Sequence, residues 1–147
     1  MNGQISERAV VLASGGLDST VTAAIARRDG YALYLLTIAY QQRHAVEVER
    51  SRQVATALEA HQHVVINVDL GTIGGSALTG NLSVPKLRTE SERHRDVPVT
   101  YVPGRNLIFL SLAAAHAEVL GASTIYVGAN VSDYSGYPDC RPEFIQA

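Results

Sequence analysis

Apolar residues fall along this chain in two alternating patterns. Short runs rich in β-branched residues, Ala9 to Ala13, Ala32 to Ala39, His63 to Val68 and Thr124 to Gly128, show no clean alternation of polar and apolar positions. Unbroken runs of this length read as strands buried on both faces, as in a parallel sheet. Between them, apolar positions recur at helical spacing. Behind the first run Leu17, Val21, Ala24 and Ile25 share one face, predicted to point inward, and Asp29-Gly30 ends the segment. A second helix is predicted from about Ala45 to Leu58, with Ser51, Val54, Ala55 and Leu58 inward. A third runs from about Asn106 to Leu120, with Gly121 as its stop. That helix is apolar nearly all round, which predicts deep burial. Strands alternating with helices predict a doubly wound α/β fold, a mostly parallel sheet with helices on both faces.

The stretch from Leu70 to Pro103 has no such period. It holds Gly74-Gly75, Pro85, Pro98, Pro103 and a charged segment from Lys86 to Asp96. An irregular connection this long in a compact domain is either a solvated loop or an active-site lid. No repeat or linker divides the chain, so residues 1–147 read as one domain.

Composition narrows the class. A hydrophobic content of 46% and a charged content of 18% fit a folded globular chain. The net charge of -2, with no basic run, argues against a nucleic-acid surface as the main feature. Lys86 is the one lysine, so nearly all positive charge is arginine, which suits planar bidentate contacts. No basic stretch leads into an apolar one at the start, and no apolar run reaches membrane-spanning length. One cysteine cannot form an internal disulfide. A cytoplasmic protein is the expectation.

The chemistry concentrates behind the first strand, in Ser14-Gly15-Gly16-Leu17-Asp18-Ser19-Thr20. A strand that breaks into a glycine turn and opens a helix leaves backbone N–H groups unpaired at the positive end of the helix dipole, a ready anion site. Two glycines let a large anion approach that backbone without a Cβ in the way. The hydroxyls of Ser14, Ser19 and Thr20 add donors. No Gly-Lys-Ser/Thr follows, so this is not the phosphate loop of common ATPases. An ordinary capped turn is the competing reading, with Asp18 or Ser19 as cap. One hydroxyl suffices for a cap, however, and four polar side chains gather here.

Three more polar clusters follow. Gln41-Gln42-Arg43-His44 comes after the second strand, Val102-Pro103-Gly104-Arg105-Asn106 opens the third helix, and Asn130 to Arg141 follows the fourth strand. In an open parallel sheet, ligands bind beyond the carboxyl ends of the strands, where these clusters are expected. Arg43-His44 could be a solvated helix start, and Arg105-Asn106 a turn with its cap. Asp133 to Arg141 is harder to read as a plain loop. Two tyrosines, two aspartates and an arginine there suit a planar heterocycle with amino donors. Cys140 has no evident base beside it and reads as a packing residue.

The Ser14 to Thr20 loop resembles the Ser-Gly-Gly-x-Asp-Ser loop of the ATP pyrophosphatases, the PP-loop superfamily of adenine nucleotide alpha hydrolase-like fold. Together with Gln42-Arg43-His44, Val102 to Asn106, and Ser135-Gly136-Tyr137-Pro138-Asp139-Cys140-Arg141, the chain resembles the QueC family over nearly its whole length. The family's reaction is ATP-dependent conversion of 7-carboxy-7-deazaguanine and ammonia to the 7-cyano nitrile, through an adenylated carboxylate. The resemblance implies that Leu12, Ala13, Ser14, Gly15, Gly16, Leu17, Asp18, Ser19, Thr20, Val21 and Thr22 bind ATP. Asp18 would also help hold Mg²⁺, and Arg105 would neutralise phosphate charge, the two being the catalytic candidates. Arg43, His44, Asn106, Asp133, Tyr134, Tyr137, Asp139 and Arg141 would form the substrate pocket. Another PP-loop ATP pyrophosphatase, tRNA-modifying or amidating, and a non-catalytic nucleotide-binding fragment are the alternatives. No nucleic-acid or membrane partner is expected, and a homodimer stays open.

Two departures stand out. Gln41 replaces the glycine of the family's Tyr-Gly-Gln-Arg-His. Family members also run on to a C-terminal cysteine cluster that binds Zn²⁺, and Cys140 alone cannot supply it. At the end of the chain Pro142-Glu143-Phe144-Ile145 reads as a helix start that stops short of any cap. The expectation is an N-terminal part of a longer protein, inactive by itself.

Overall fold

The computed structural model describes residues 6–40, 45–76, 100–129 and 137–147. In chain order these form β1 (Arg8–Leu12), α1 (Leu17–Arg28), β2 (Ala32–Ala39), α2 (Ala45–Ala57), β3 (Gln62–Asn67), α3 (Arg105–Leu120), β4 (Thr124–Tyr126), a 3-10 turn (Pro138–Cys140) and α4 (Pro142–Gln146). They divide into two compact units, Met1–Val68 with Phe109–Gly128, and Asp69–Ile108 with Ala129–Ala147.

The first unit holds the sheet. Among the described residues four parallel strands lie in the order β3-β2-β1-β4. In register, Val10 lies beside Tyr34 and Ile125, and Leu36 beside Val64. Because β1 and β2 are covered on both faces, they carry no polar stripe. Val11, Ala13, Leu33 and Leu35 pack against Ala23 and Ala26 of α1 and Ala55 of α2. On the other face Val10, Leu12, Leu36 and Ile38 pack against Ala113 and Ala117 of α3. This is the doubly wound α/β sheet that the pattern predicts, with element ends within about two residues.

The faces of two helices differ from expectation. In α1 the buried positions are Ser19, Ala23 and Ala26, while Leu17 is 78% exposed and Val21 and Ile25 also face outward. Small side chains let the helix backbone approach the sheet closely, so the stripe of large residues is left outside. Helix α3 is not deeply buried either. Ala113 and Ala117 are inside and Phe109, Leu110, Leu112 and Leu120 half-inside, but Leu107 and Val119 are exposed. The sheet covers the side of α3 that carries Ala113 and Ala117. In α2 the predicted inner face holds: Ser51 and Ala55 are buried, and Val54 and Leu58 pack beside them.

In the second unit Leu70, Ser76 and Val102 are buried. The Asp69 carboxylate accepts the hydroxyl of Thr72 at 2.7 Å and the amides of Gly71 and Thr72. These bonds, the Thr72 hydroxyl foremost, hold it below the usual carboxylate range. Residues 77–99, most of the segment weighed as a lid, lie outside the described residues. The predicted helix start near the end of the chain is present as α4, with Pro142 in its first turn.

Candidate functional site: a glycine turn at one helix start and a buried carboxylate at another

In the first unit, β1 delivers the chain to the loop in a fixed position. The Ala13 amide donates to Leu36 O at 2.9 Å, and Ala13 O accepts the Thr37 hydroxyl at 2.6 Å. The hydroxyls of the loop hold its own turn. Gly16 N donates to Ser14 Oγ at 3.3 Å, and the hydroxyls of Ser19 and Thr20 both donate to Gly16 O, at 3.1 and 2.8 Å. Ser14 N donates to Ser19 Oγ at 3.2 Å. Ser19 is buried, while Ser14, Gly16 and Asp18 are exposed. For the Ser19 and Thr20 hydroxyls themselves to donate to a phosphate, they would have to turn away from Gly16 O.

The two glycines are needed for different reasons. Gly15 has φ +78°, and a Cβ there would lie 2.6 Å from Glu47 O and 2.8 Å from Ser51 N. It therefore admits α2 rather than a ligand. Gly16 is extended, at φ -80° and ψ 170°, and among the described residues a Cβ there would meet only Ser14 Oγ, at 3.3 Å. Helix α1 starts immediately behind it with no side-chain cap, so Asp18 and Ser19 are not its N-cap. The first amides of α1 point out beside an open glycine, as anion binding needs.

Gly128, just beyond β4, is a shaping residue that sequence reasoning missed. A Cβ there would lie 2.7 Å from Thr22 Oγ1 and 3.1 Å from Asp18 O. It lets the first turns of α1 settle onto the strand end. Its only signal in the sequence is a glycine closing an apolar run.

In the second unit the start of α3 is closed. Asn106 N donates to Asp139 Oδ2 at 2.9 Å, and Asn106 Nδ2 donates to Asp139 O at 2.9 Å and reaches Cys140 Sγ at 3.3 Å. Asp139 is 4% exposed, and its Oδ1 is buried with no hydrogen-bond partner among the described residues. The Arg105 guanidinium lies 5.8 Å from the Tyr137 ring centroid, and Tyr101 and Tyr137 rings sit 5.8 Å apart. Thr100 Oγ1 is 2.8 Å from Tyr137 Oη. The structure thus brings Arg105, Asn106, Tyr137 and Asp139 together, and Arg141 stands exposed at the start of α4. Arg43, His44, Asp133 and Tyr134 lie outside the described residues. Cys140 serves as an acceptor in this packing, in line with a structural role.

The described residues do not fit a zinc site. Cys140 is the one cysteine, and no group of three or more metal-ligating side chains occurs among them. The exposed Asp18 carboxylate in the first turn of α1 fits one ligand of a Mg²⁺ that accompanies a polyphosphate. No described helix is long and apolar enough to cross a membrane.

Among the described residues a parallel sheet of order 3-2-1-4, with Ser-Gly-Gly-x-Asp-Ser between its first strand and helix, gives the chain an adenine nucleotide alpha hydrolase-like, PP-loop class of fold. Solved structures share the fold. NH3-dependent NAD synthetase from Campylobacter jejuni matches 90% of this chain and 51% of its own, at TM-score 0.53 and 18% identity. A 4-thiouridine synthetase in an RNA complex with bound ATP matches 86% of this chain and 30% of its own, at TM-score 0.53 and 24% identity. Within that class the chain belongs to the QueC family, described as queuosine biosynthesis protein QueC, whose model matches residues 8–147. It is 57% identical over 147 residues to the 7-cyano-7-deazaguanine synthase of Solidesulfovibrio magneticus. The match takes in all of this chain and 63% of that protein. The chain therefore spans under two thirds of the length of such relatives.

Proposed function

We propose that this chain carries the ATP-binding and activating part of a 7-cyano-7-deazaguanine synthase, an ATP-dependent carbon–nitrogen ligase. The observation that carries the reading is the uncapped start of α1 beside the open Gly16, in a chain of this family. The substrate carboxylate is a poor electrophile. Its oxygen attacks the α-phosphorus of ATP and pyrophosphate leaves, giving a mixed anhydride. Ammonia then attacks the carbonyl carbon and AMP leaves, forming the amide. A second activation of the amide oxygen, followed by its loss with AMP, gives the nitrile. Little of this needs covalent help from the protein, so catalysis rests on positioning and on stabilising charge at phosphorus.

In this reading residues Leu12 to Thr22 bind ATP, with the amides behind Gly16 taking the polyphosphate. Asp18 would hold Mg²⁺, which offsets phosphate charge when bound. Arg105 is proposed as a cation for the same charge. The buried Oδ1 of Asp139, without a hydrogen-bond partner among the described residues, is suited to the amino and ring N–H donors of a deazaguanine, and Tyr137 offers an aromatic face. Asn106 and Arg141, with Arg43, His44, Asp133 and Tyr134, complete the proposed pocket. A cytoplasmic enzyme with ammonia and ATP as co-substrates is the accompanying proposal.

The test supplies 7-carboxy-7-deazaguanine, ATP and ammonia to this chain and to one extended to the length of its relatives. Both are expected to bind MgATP, and nitrile is expected from the extended chain alone. In the extended chain Asp18→Asn, which keeps helix-favouring polarity but loses the charge, is expected to cut Mg²⁺-dependent turnover. Comparable nitrile from both chains would contradict the division of labour.

A further inference from the structure

Behind the phosphate loop lies a buried polar cluster for which the chemistry above has no use. Thr37 interrupts the apolar strand β2 and is 2% exposed; Ser51 of α2 is fully buried; His63 of β3 is half-buried between them. Thr37 Oγ1 lies 2.6 Å from Ala13 O, 3.0 Å from Ser51 Oγ and 2.8 Å from His63 Nε2. Ser51 Oγ lies 2.8 Å from Val48 O and 3.3 Å from His63 Nε2.

A carbonyl oxygen only accepts, so the assignment that serves both carbonyls puts the Thr37 proton on Ala13 O and the Ser51 proton on Val48 O. Both hydroxyls have then spent their protons: the 3.0 Å approach of Thr37 Oγ1 to Ser51 Oγ carries none, and the 2.8 Å contact at Thr37 is filled by a hydrogen on His63 Nε2. Burial, followed by the Arg52 guanidinium, pushes the His63 imidazole below its ordinary 6.5, so it is neutral at pH 7. The ring is thus the Nε2–H tautomer, and the chain of donors runs from His63 to Thr37 to Ala13 O.

Ala13 is the last residue before the loop. Its amide is held by Leu36 O and its carbonyl by Thr37, so neither polar atom is left to swing. Ser51 carries the second constraint. Its backbone N lies 2.8 Å from where a Gly15 Cβ would stand, so its helix presses directly on the turn. Three elements distant in sequence thus meet on the two residues that set the path of the loop.

We propose that Thr37, oriented by His63 and flanked by Ser51, is a positioning residue for the phosphate loop: it fixes the Ala13 carbonyl and thereby the direction in which the amides of α1 are presented. The proposal rests on the loop being the ATP site, and the test separates the two. Thr37→Val is isosteric and removes the hydroxyl, whereas Thr37→Ser restores it. Amide hydrogen exchange on the chain without nucleotide is expected to quicken at Ser14 to Ser19 in Thr37→Val and to return toward normal in Thr37→Ser, with the ladder between β2 and β3 unchanged. Long-range ¹⁵N correlation spectra are expected to show the Nε2–H tautomer of His63, with its signals displaced in Thr37→Val. MgATP affinity by calorimetry is expected to fall about tenfold in Thr37→Val and recover in Thr37→Ser. A lowered melting temperature with loop exchange unaltered would overturn the positioning role. So would an Nδ1–H tautomer. Failure of the wild-type chain to bind MgATP would refute the ATP reading while the exchange experiment still decided the positioning.

Discussion

The chain starts two of its helices in opposite ways. At α3 a carboxylate from far along the chain, Asp139, closes the first turn by accepting from Asn106 N. At α1 no side chain caps the turn, although Asp18, Ser19 and Thr20 are all beside it. A buried or half-buried helix start wants negative charge. At α3 the protein supplies it; at α1 the Ser19 and Thr20 hydroxyls donate to Gly16 O, Ser14 Oγ and Ser19 Oγ accept from Gly16 N and Ser14 N, and the amides of Leu17 to Ser19 have no partner among the described residues. The polar residues of a loop therefore do not mark a site by their number. What marks it is whether the amides of the helix's first turn have been taken up.

Gly15→Ala is expected to break this contrast most severely. The left-handed conformation costs an alanine about 1–2 kcal/mol, and pressing a methyl onto Glu47 O and Ser51 N adds about 1–3 kcal/mol of overpacking. A melting temperature lowered more than by any other change discussed here, with α2 amides exchanging faster, is the expected outcome.

Asp139→Ala should come next. It strips the acceptor from Asn106 N and should lower stability by about 1–3 kcal/mol in denaturant titrations. Asp139→Asn keeps an acceptor and should lose less. Equal losses in the two variants would mean that the charge at the α3 start matters more than the hydrogen bond.

The smallest effect concerns the support behind α1. His63 has its affinity for protons lowered by folding. Its contribution to stability is therefore complete above about pH 6.5 and is lost as pH falls through that value toward the folded-state one, because the unfolded chain binds the proton first. Melting temperature measured between pH 8 and 5 should fall on the acid side, less so in His63→Gln. Identical profiles would remove His63 from the account.

Much of this was legible in the sequence. The succession of strands and helices along the chain, the helix spans and the loop at the end of β1 all follow from apolar runs and glycine punctuation; the lateral order of the strands does not. The site half in Asn106, Tyr137 and Asp139 was legible as a polar cluster, but its pairing was not, since Asn106 and Asp139 are far apart in the chain. The orientation of α1 is not legible in the sequence, because Leu17, Val21 and Ile25 are larger than Ala23 and Ala26 and yet lie on the outer side. Gly15 and Gly16 look equivalent in sequence; only the approach of α2 tells them apart. Thr37 shows in the sequence only as a polar break in an apolar run, and its role with His63 is not legible, because their meaning lies in Ala13 O, a backbone atom at the end of another strand.

The central claim is that the uncapped start of α1, and not the capped start of α3, takes the polyphosphate. Amide resonances followed during titration with MgATP test it directly, in the wild-type chain and in Gly16→Val. The wild type should show its largest displacements at Gly16 to Ser19, with α3 amides at Asn106 and Leu107 little changed. Gly16→Val, at an extended position where a Cβ would meet Ser14 Oγ alone among the described residues, at 3.3 Å, should stay folded and lose about tenfold or more in affinity, equivalent to one or two charge-assisted hydrogen bonds. Undiminished affinity in a folded Gly16→Val, or displacements centred on the start of α3, would contradict the account.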